Sequence, residues 1–248
     1  MYKYKYGLYI NTICARRRLQ KVIIGSDLGV ISFFKKGNIL FLGSQMDNIE
    51  YGCGGLIRRM VEAGLKDRIT FLIITQNIKS SSEGKITIQK DFKEVYEATA
   101  LLGLAKENIC IKEISDHFMP CRSQEIAEIL SGIRLEFKPS YVFFPSKSDI
   151  HQFNKSLYEE AISMFRNNNC FGYELVRNCY HFQPNFYVEI GPSILERKIA
   201  AAMSYKSQLV QSTGYFFNPE VLKAVSQYRG AQSEKNYAEA YEIYYLHL

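Results

Sequence analysis

The sequence predicts an α/β fold, a mostly parallel sheet with helices on both faces, and three neighbouring segments carry that expectation. Asn38-Ile39-Leu40-Phe41-Leu42-Gly43 is a short apolar run ending at a small residue, the pattern of a strand buried on both faces. Residues 56 to 64 place Leu56, Ile57, Met60, Val61 and Ala63 near helical spacing with Arg58, Arg59 and Glu62 between them, and Gly64 is a fitting C-terminal stop. Residues 69 to 75 read as a second strand. With Gly52-Cys53-Gly54-Gly55 read as a glycine-rich turn ahead of the helix, the order is strand, turn, helix, strand, a βαβ unit. In open α/β sheets the site lies just beyond the carboxyl ends of the strands, which places residues 44 to 48 at that edge.

Size and composition bound the rest. A chain of 248 residues suits one α/β domain with a large core and is short for two. The 47% hydrophobic content, with Tyr and Phe supplying all the aromatics, excludes a disordered chain. A net charge of +6 favours acidic partners such as a phosphorylated or nucleotide-linked sugar. Arg16-Arg17-Arg18, the densest basic cluster, reads first as a solvated turn, and no recognition motif accompanies the charge, so no nucleic-acid partner is expected. Cys14, Cys53, Cys110, Cys121, Cys170 and Cys179 form no C-x-x-C pair and lie largely in apolar surroundings, as buried thiols of a reducing compartment do. The first six residues alternate Lys with Tyr rather than forming a secretory apolar region, and no run approaches the roughly 18 apolar residues of a membrane span. The expectation is a cytoplasmic protein without a membrane span.

In chain order, residues 1–36 form an expected β-rich extension ahead of a domain over residues 37–248. Lys21-Val22-Ile23-Ile24-Gly25 and Val30-Ile31-Ser32-Phe33-Phe34, separated by Ser26-Asp27-Leu28-Gly29, read as a hairpin. Such a ribbon covers a sheet edge or makes a dimer contact, which leaves a homo-oligomer open. Residues 76–84, with Ser80-Ser81-Ser82, read as a loop beside the site, and a helix is expected from 89 to 102, stopped by Gly103. A strand over 108–114 precedes Asp116. A helix over 125–137, a strand over 139–145 and a helix over 155–165 follow.

Two stretches point to chemistry. Ser44-Gln45-Met46-Asp47-Asn48-Ile49-Glu50-Tyr51-Gly52-Cys53-Gly54-Gly55 is similar, register for register, to the A-H-P-D-D-x-E-x-G-x-G-G signature of the PIG-L / LmbE-like zinc-dependent N-acetylglucosaminyl deacetylases. Ser148-Asp149-Ile150-His151-Gln152-Phe153-Asn154 is similar to that family's D-x-H-x-D-H motif. Further segments, ending with Tyr228-Arg229-Gly230 and Tyr237-Ala238-Glu239-Ala240-Tyr241, resemble its C-terminal region in order. The resemblance implies a Rossmann-like sheet. It also implies that Asp47 stands where the family has its general base and His151 where it steadies the oxyanion. At the three zinc-ligand positions the chain has Gln45, Asn48 and Asn154. The family's helix Arg, which reaches substrate, is replaced by Asp91, with Lys90 beside it and Glu94 retained. Asp116 follows its strand where the family has an Asp that faces the sugar, a turn or N-cap role being the other reading, and Asp149 completes the substrate-side set.

Zinc takes thiolate, imidazole and carboxylate ligands, whereas Gln45, Asn48 and Asn154 offer only neutral amide oxygens. The sequence therefore predicts no metal and no other cofactor. Two readings follow. In the first, an enzyme acts on an amino sugar or a nucleotide-linked sugar without metal, with Asp47 as base and His151 as acid or oxyanion donor. In the second, an inactive pseudo-deacetylase binds a sugar or a partner, its amides hydrogen-bonding sugar hydroxyls. Structural roles compete at both residues: Asp47 as a cap of backbone amides, and His151 as a satisfied histidine.

Overall fold

The computed structural model describes residues 2–3, 8–11, 21–76, 92–114, 123–207 and 215–247. Ten strands form one sheet: β1 (Tyr2–Lys3), β2 (Leu8–Asn11), β3 (Lys21–Ile24), β4 (Asn38–Gly43), β5 (Ile69–Gln76), β6 (Ile109–Ile114), β7 (Pro139–Pro145), β8 (Asn169–Tyr173), β9 (Phe186–Glu189) and β10 (Ala238–Tyr245). The described helices are α1 (Asp27–Phe33), α2 (Asn48–Glu62), α3 (Lys93–Leu101), α4 (Ser123–Phe137), α5 (Gln152–Met164), α6 (Pro192–Ala202) and α7 (Pro219–Ser233). Among them none is long and apolar enough to cross a membrane.

The strand order is β1-β2-β3-β9-β10-β8-β7-β4-β5-β6. The block from β8 to β6 is parallel throughout, and β10 is antiparallel to both β8 and β9. Side-chain alternation divides the core cleanly. Ile39, Phe41, Phe71, Ile73 and Phe143 face one side with α1, α2, α3 and α6, while Leu40, Leu42, Leu72, Ile74 and Phe144 face the other with α4 and α5. Burial on both faces is why these strands read as unbroken apolar runs.

Two expectations are corrected. Residues 30–34 form no strand: Ser26 caps α1, its hydroxyl accepting from Gly29 N–H at 3.1 Å, and Val30 and Phe34, one turn apart, pack against the sheet. Only Lys21–Ile24 of the expected hairpin is a strand, paired with β2 on one side and parallel to β9 on the other. The second correction concerns Gly52, Gly54 and Gly55, which lie inside α2 rather than in a turn before it. Their smallness serves close packing: a Cβ on Gly52 would stand 2.5 Å from the Tyr173 ring, and one on Gly55 would stand 2.8 Å from Ile190. Elsewhere the expected strands and helices appear within a few residues of their bounds. The expected loop beyond Gln76, the start of the helix before α3, Arg16-Arg17-Arg18 and Asp116 lie outside the described residues. The described cysteines Cys53, Cys110, Cys170 and Cys179 are free, with Cys53 and Cys170 buried.

Candidate active site

From β4 the chain steps outward through β5 to β6, then crosses back to lay β7 on the opposite side of β4 before continuing to β8. The segments leaving β4 and β7 therefore diverge, one into α2 and the other into α5, a topological switch point of the kind at which open α/β sheets bind their ligands. Residues 44–48 and 146–154 flank that point.

A hydrogen-bonded clasp joins the two segments there. The Asn154 side-chain oxygen accepts from the Ser44 hydroxyl and from Asn48 Nδ2, the latter at 2.7 Å. Asn154 Nδ2 donates to Asp149 Oδ2 at 2.8 Å, and Asp149 Oδ1 accepts from the His151 backbone N–H at 2.8 Å. Asn48, Asn154, Asp149 and Ser44 are all buried. Asn48 and Asn154, 106 positions apart in the chain, are thus joined side chain to side chain, and Gln45, half-buried on the turn between β4 and α2, takes no part in the clasp. The turn is held from outside by two buried tyrosines. Tyr173 donates to Leu42 O at 2.8 Å and Tyr205 to Met46 O at 2.6 Å.

Beside the clasp sit three ionisable groups, Asp47, Glu50 and His151, and none of them makes an ion pair among the described residues. Asp47 precedes α2, is 6% exposed, and makes no side-chain cap bond, so the capping role is not the one it plays here. Burial pushes its carboxyl up to about 6, against the pull of its own backbone N–H and the Arg177 guanidinium. One turn on, Glu50 is fully buried and neither of its oxygens has a hydrogen-bond partner. Burial pushes it up to about 8; its backbone and the nearby Tyr205 hydroxyl pull the other way, and the Asp47 charge adds to the push. His151 sits at the start of α5 with its ring edge-on to Phe153, centroids 5.2 Å apart, and its buried Nδ1 unpartnered. Burial and Arg177 both lower its pKa, so the imidazole is neutral at pH 7.

The structure brings Asn48, Asp149 and Asn154 into direct contact and sets Asp47 and His151 beside them in sequence. The sequence reading did not single out Glu50 or Arg177 as site residues. Glu50 carried a signal, a carboxylate one helical turn from Asp47 within an otherwise buried stretch, whereas Arg177 belongs to no motif and only the fold reveals it.

These residues do not fit zinc. The donors at the ligand positions are neutral amides, two of which are bonded to each other. Among the described residues no group of three or more His, Cys, Asp or Glu could hold a metal ion.

No protein-family model matches the chain. Solved structures do match in fold. A conserved protein of Thermus thermophilus is 22% identical, with a TM-score of 0.64, and the match covers 86% of this chain and 97% of that one. The N,N'-diacetylchitobiose deacetylase of Pyrococcus horikoshii is 18% identical, with a TM-score of 0.64 and 86% of each chain covered. The 4-carboxy-2-hydroxymuconate hydratase of Pseudomonas putida is 14% identical, with a TM-score of 0.59 and coverage of 86% of this chain and 98% of that one. The resemblance to the PIG-L / LmbE-like deacetylases therefore holds at the level of the fold. The same fold also carries a hydratase, so the chemistry must be argued from the site.

Proposed function

We propose that this chain is a LmbE/PIG-L-like protein that acts on an amino sugar or a nucleotide-linked sugar without a metal, Asp47 serving as general base and His151 as oxyanion donor. The observation that carries this reading is the pair of oppositely tuned groups at the switch point. Asp47, pushed up to about 6, is ionised at neutral pH yet basic enough to accept a proton there, and His151, its pKa lowered, stays neutral and acts by donating an N–H. The base takes a proton from an attacking water or hydroxyl, and the imidazole stabilises the charge that develops on the substrate oxygen. Such a pair supplies about 10² to 10⁴ in rate, which suits a bond more reactive than an acetamide. The Asn48–Asn154–Asp149 clasp takes the place of a metal as the part that fixes the two loops relative to each other. Positive charge and fold favour a soluble sugar phosphate or nucleotide sugar in the cytoplasm as the substrate pool.

One observation favours a second reading, that of a pseudo-deacetylase that binds a sugar or partner without turnover. The clasp consumes the hydrogen-bonding groups of Asn154 inside the protein, as a site retired from catalysis would. Turnover separates the two. Purified protein assayed against a panel of activated amino-sugar derivatives should show activity that falls at least about 100-fold in Asp47→Asn and in His151→Ala, with circular dichroism unchanged. Full turnover retained in both variants would move the active site elsewhere, and binding without turnover in the parent would establish the second reading.

A further inference from the structure

The turn that carries Arg177 is stapled to the loop that carries His151. Asp149 and Cys179 form an isolated antiparallel bridge, and Ile150 N–H donates to Asn178 O at 3.1 Å. Arg177 is exposed at this turn, its guanidinium carbon 5.7 Å from the centre of the Phe216 ring. Phe216 in turn stacks on Tyr51 of α2, centroids 4.4 Å apart with 25° between planes. Tyr51 lies four positions from Asp47. An arginine from the turn bonded to the His151 loop and an aromatic pair anchored on α2 thus meet at the switch point.

The charge of Arg177 is felt at the site. It lowers the pKa of both Asp47 and His151, in keeping with a turn bonded to the His151 loop on one side and stacked toward α2 on the other. Arg58, Arg59 and Arg229 have carboxylate partners, Glu62, Asp27 and Glu174, whereas Arg68 and Arg134 are bonded to backbone carbonyls. Among the described residues no carboxylate pairs with Arg177. A guanidinium held over a ring uses its face for that contact and leaves N–H edges for an anion, which it can grip bidentately.

We propose that Arg177 is the anion-recognising residue of this site, holding a carboxylate or phosphate carried by the sugar substrate beside the Tyr51–Phe216 platform. The inference rests on the sugar-site reading above and adds to it the charge class of the substrate. It also gives a positive group to a site whose other ionisable residues are carboxyls and a neutral imidazole. An uncharged amino sugar would leave Arg177 with no partner, whereas an acidic one neutralises it.

The test is calorimetric titration of the whole protein with three probes: N-acetylglucosamine, N-acetylglucosamine 1-phosphate and N-acetylmuramic acid. The parent should bind at least one of the two anionic sugars about 10- to 100-fold more tightly than the neutral one, the span expected of a charge-assisted hydrogen bond. Which of the two wins distinguishes phosphate from carboxylate. Arg177→Gln should erase that preference, and Arg177→Lys, a point charge without the fork, should keep part of it. Because Arg177 is exposed, both variants should keep the parent's circular dichroism. Equal binding of neutral and anionic sugars, or a preference that survives Arg177→Gln, overturns the inference and leaves the sugar site standing. Failure of all three sugars to bind overturns the sugar site and the inference together.

Discussion

At Glu239 the fold surrounds a buried carboxylate with donors, and at Glu50, on the helix that supplies two of those donors, it leaves one bare. The Glu239 side chain accepts from the backbone N–H groups of Gly55 and Leu56 at 2.7 and 2.6 Å, from Lys198 at 2.7 Å and from the Tyr241 hydroxyl at 2.7 Å. The glycine at 55 makes that approach feasible, since a Cβ there would lie 2.9 Å from the carboxylate. Neither Glu50 oxygen has a hydrogen-bond partner, and no cation pairs with it among the described residues. Buried polar groups are almost always satisfied, so the exceptions mark places where packing was not the requirement. One end of α2 is built for stability, and the other for a group that can change its charge.

The largest expected effect tests the first half of this contrast. Glu239→Gln removes the charge from a site where Lys198 is only 5% exposed and has no alternative carboxylate in reach among the described residues. Breaking a buried pair from one side costs about 3–5 kcal/mol. Urea denaturation of the variant should show a loss of that order. A variant as stable as the parent would mean the network is dispensable and the contrast with Glu50 is one of appearance only.

The next effect should have the opposite sign. Unfolded, Glu50 releases its proton near 4.5; folded, near 8. Between those values the folded state holds more protons than the unfolded one, so its contribution lowers stability as pH rises through that window. Glu50→Gln removes the slope. The variant should match the parent near pH 4 and exceed it by about 1–3 kcal/mol at pH 8, the full shift being discounted for relaxation of a buried charge. Parallel stability curves for the two proteins would show that Glu50 has a partner and belongs with Glu239.

Much of this was legible in the sequence, for identifiable reasons. The parallel strands β4, β5 and β7 are buried on both faces and so read as apolar runs, and Asn48, Asp149 and Asn154 lie in the segments and first helical turns that follow β4 and β7, the edge where a βαβ reading looks for a site. The segment around Val30 misled because a five-residue apolar run fits either strand or helix, and the decision came from the Ser26 cap and from Val30 and Phe34 packing one turn apart. The glycines of α2 read as a turn because glycine usually punctuates. What they meet, Tyr173, Ile190 and Glu239, lies more than a hundred residues away and is invisible locally. The same distance hides Arg177, whose relation to Asp47 exists only once β8 has been laid beside β7.

His151 offers the smallest effect and the sharpest sign. Its folded pKa lies below the ordinary 6.5, because burial and the Arg177 charge both disfavour the imidazolium. Just below 6.5 the unfolded chain therefore binds a proton that the folded chain refuses, and stability falls as pH falls, the reverse of the Glu50 slope. His151→Gln should remove this acid-side loss while leaving stability at pH 7.5 within about 0.5 kcal/mol, as expected of a half-buried side chain that makes no side-chain hydrogen bond. Thermal or urea unfolding of parent and variant between pH 5 and 7.5 reads it directly. Were the variant's curve to keep the acid-side decline, the ring would be titrating as freely as in an unfolded chain. His151 would then be no neutral donor at pH 5 to 6, and Asp47 would be left without its donor partner at the switch point.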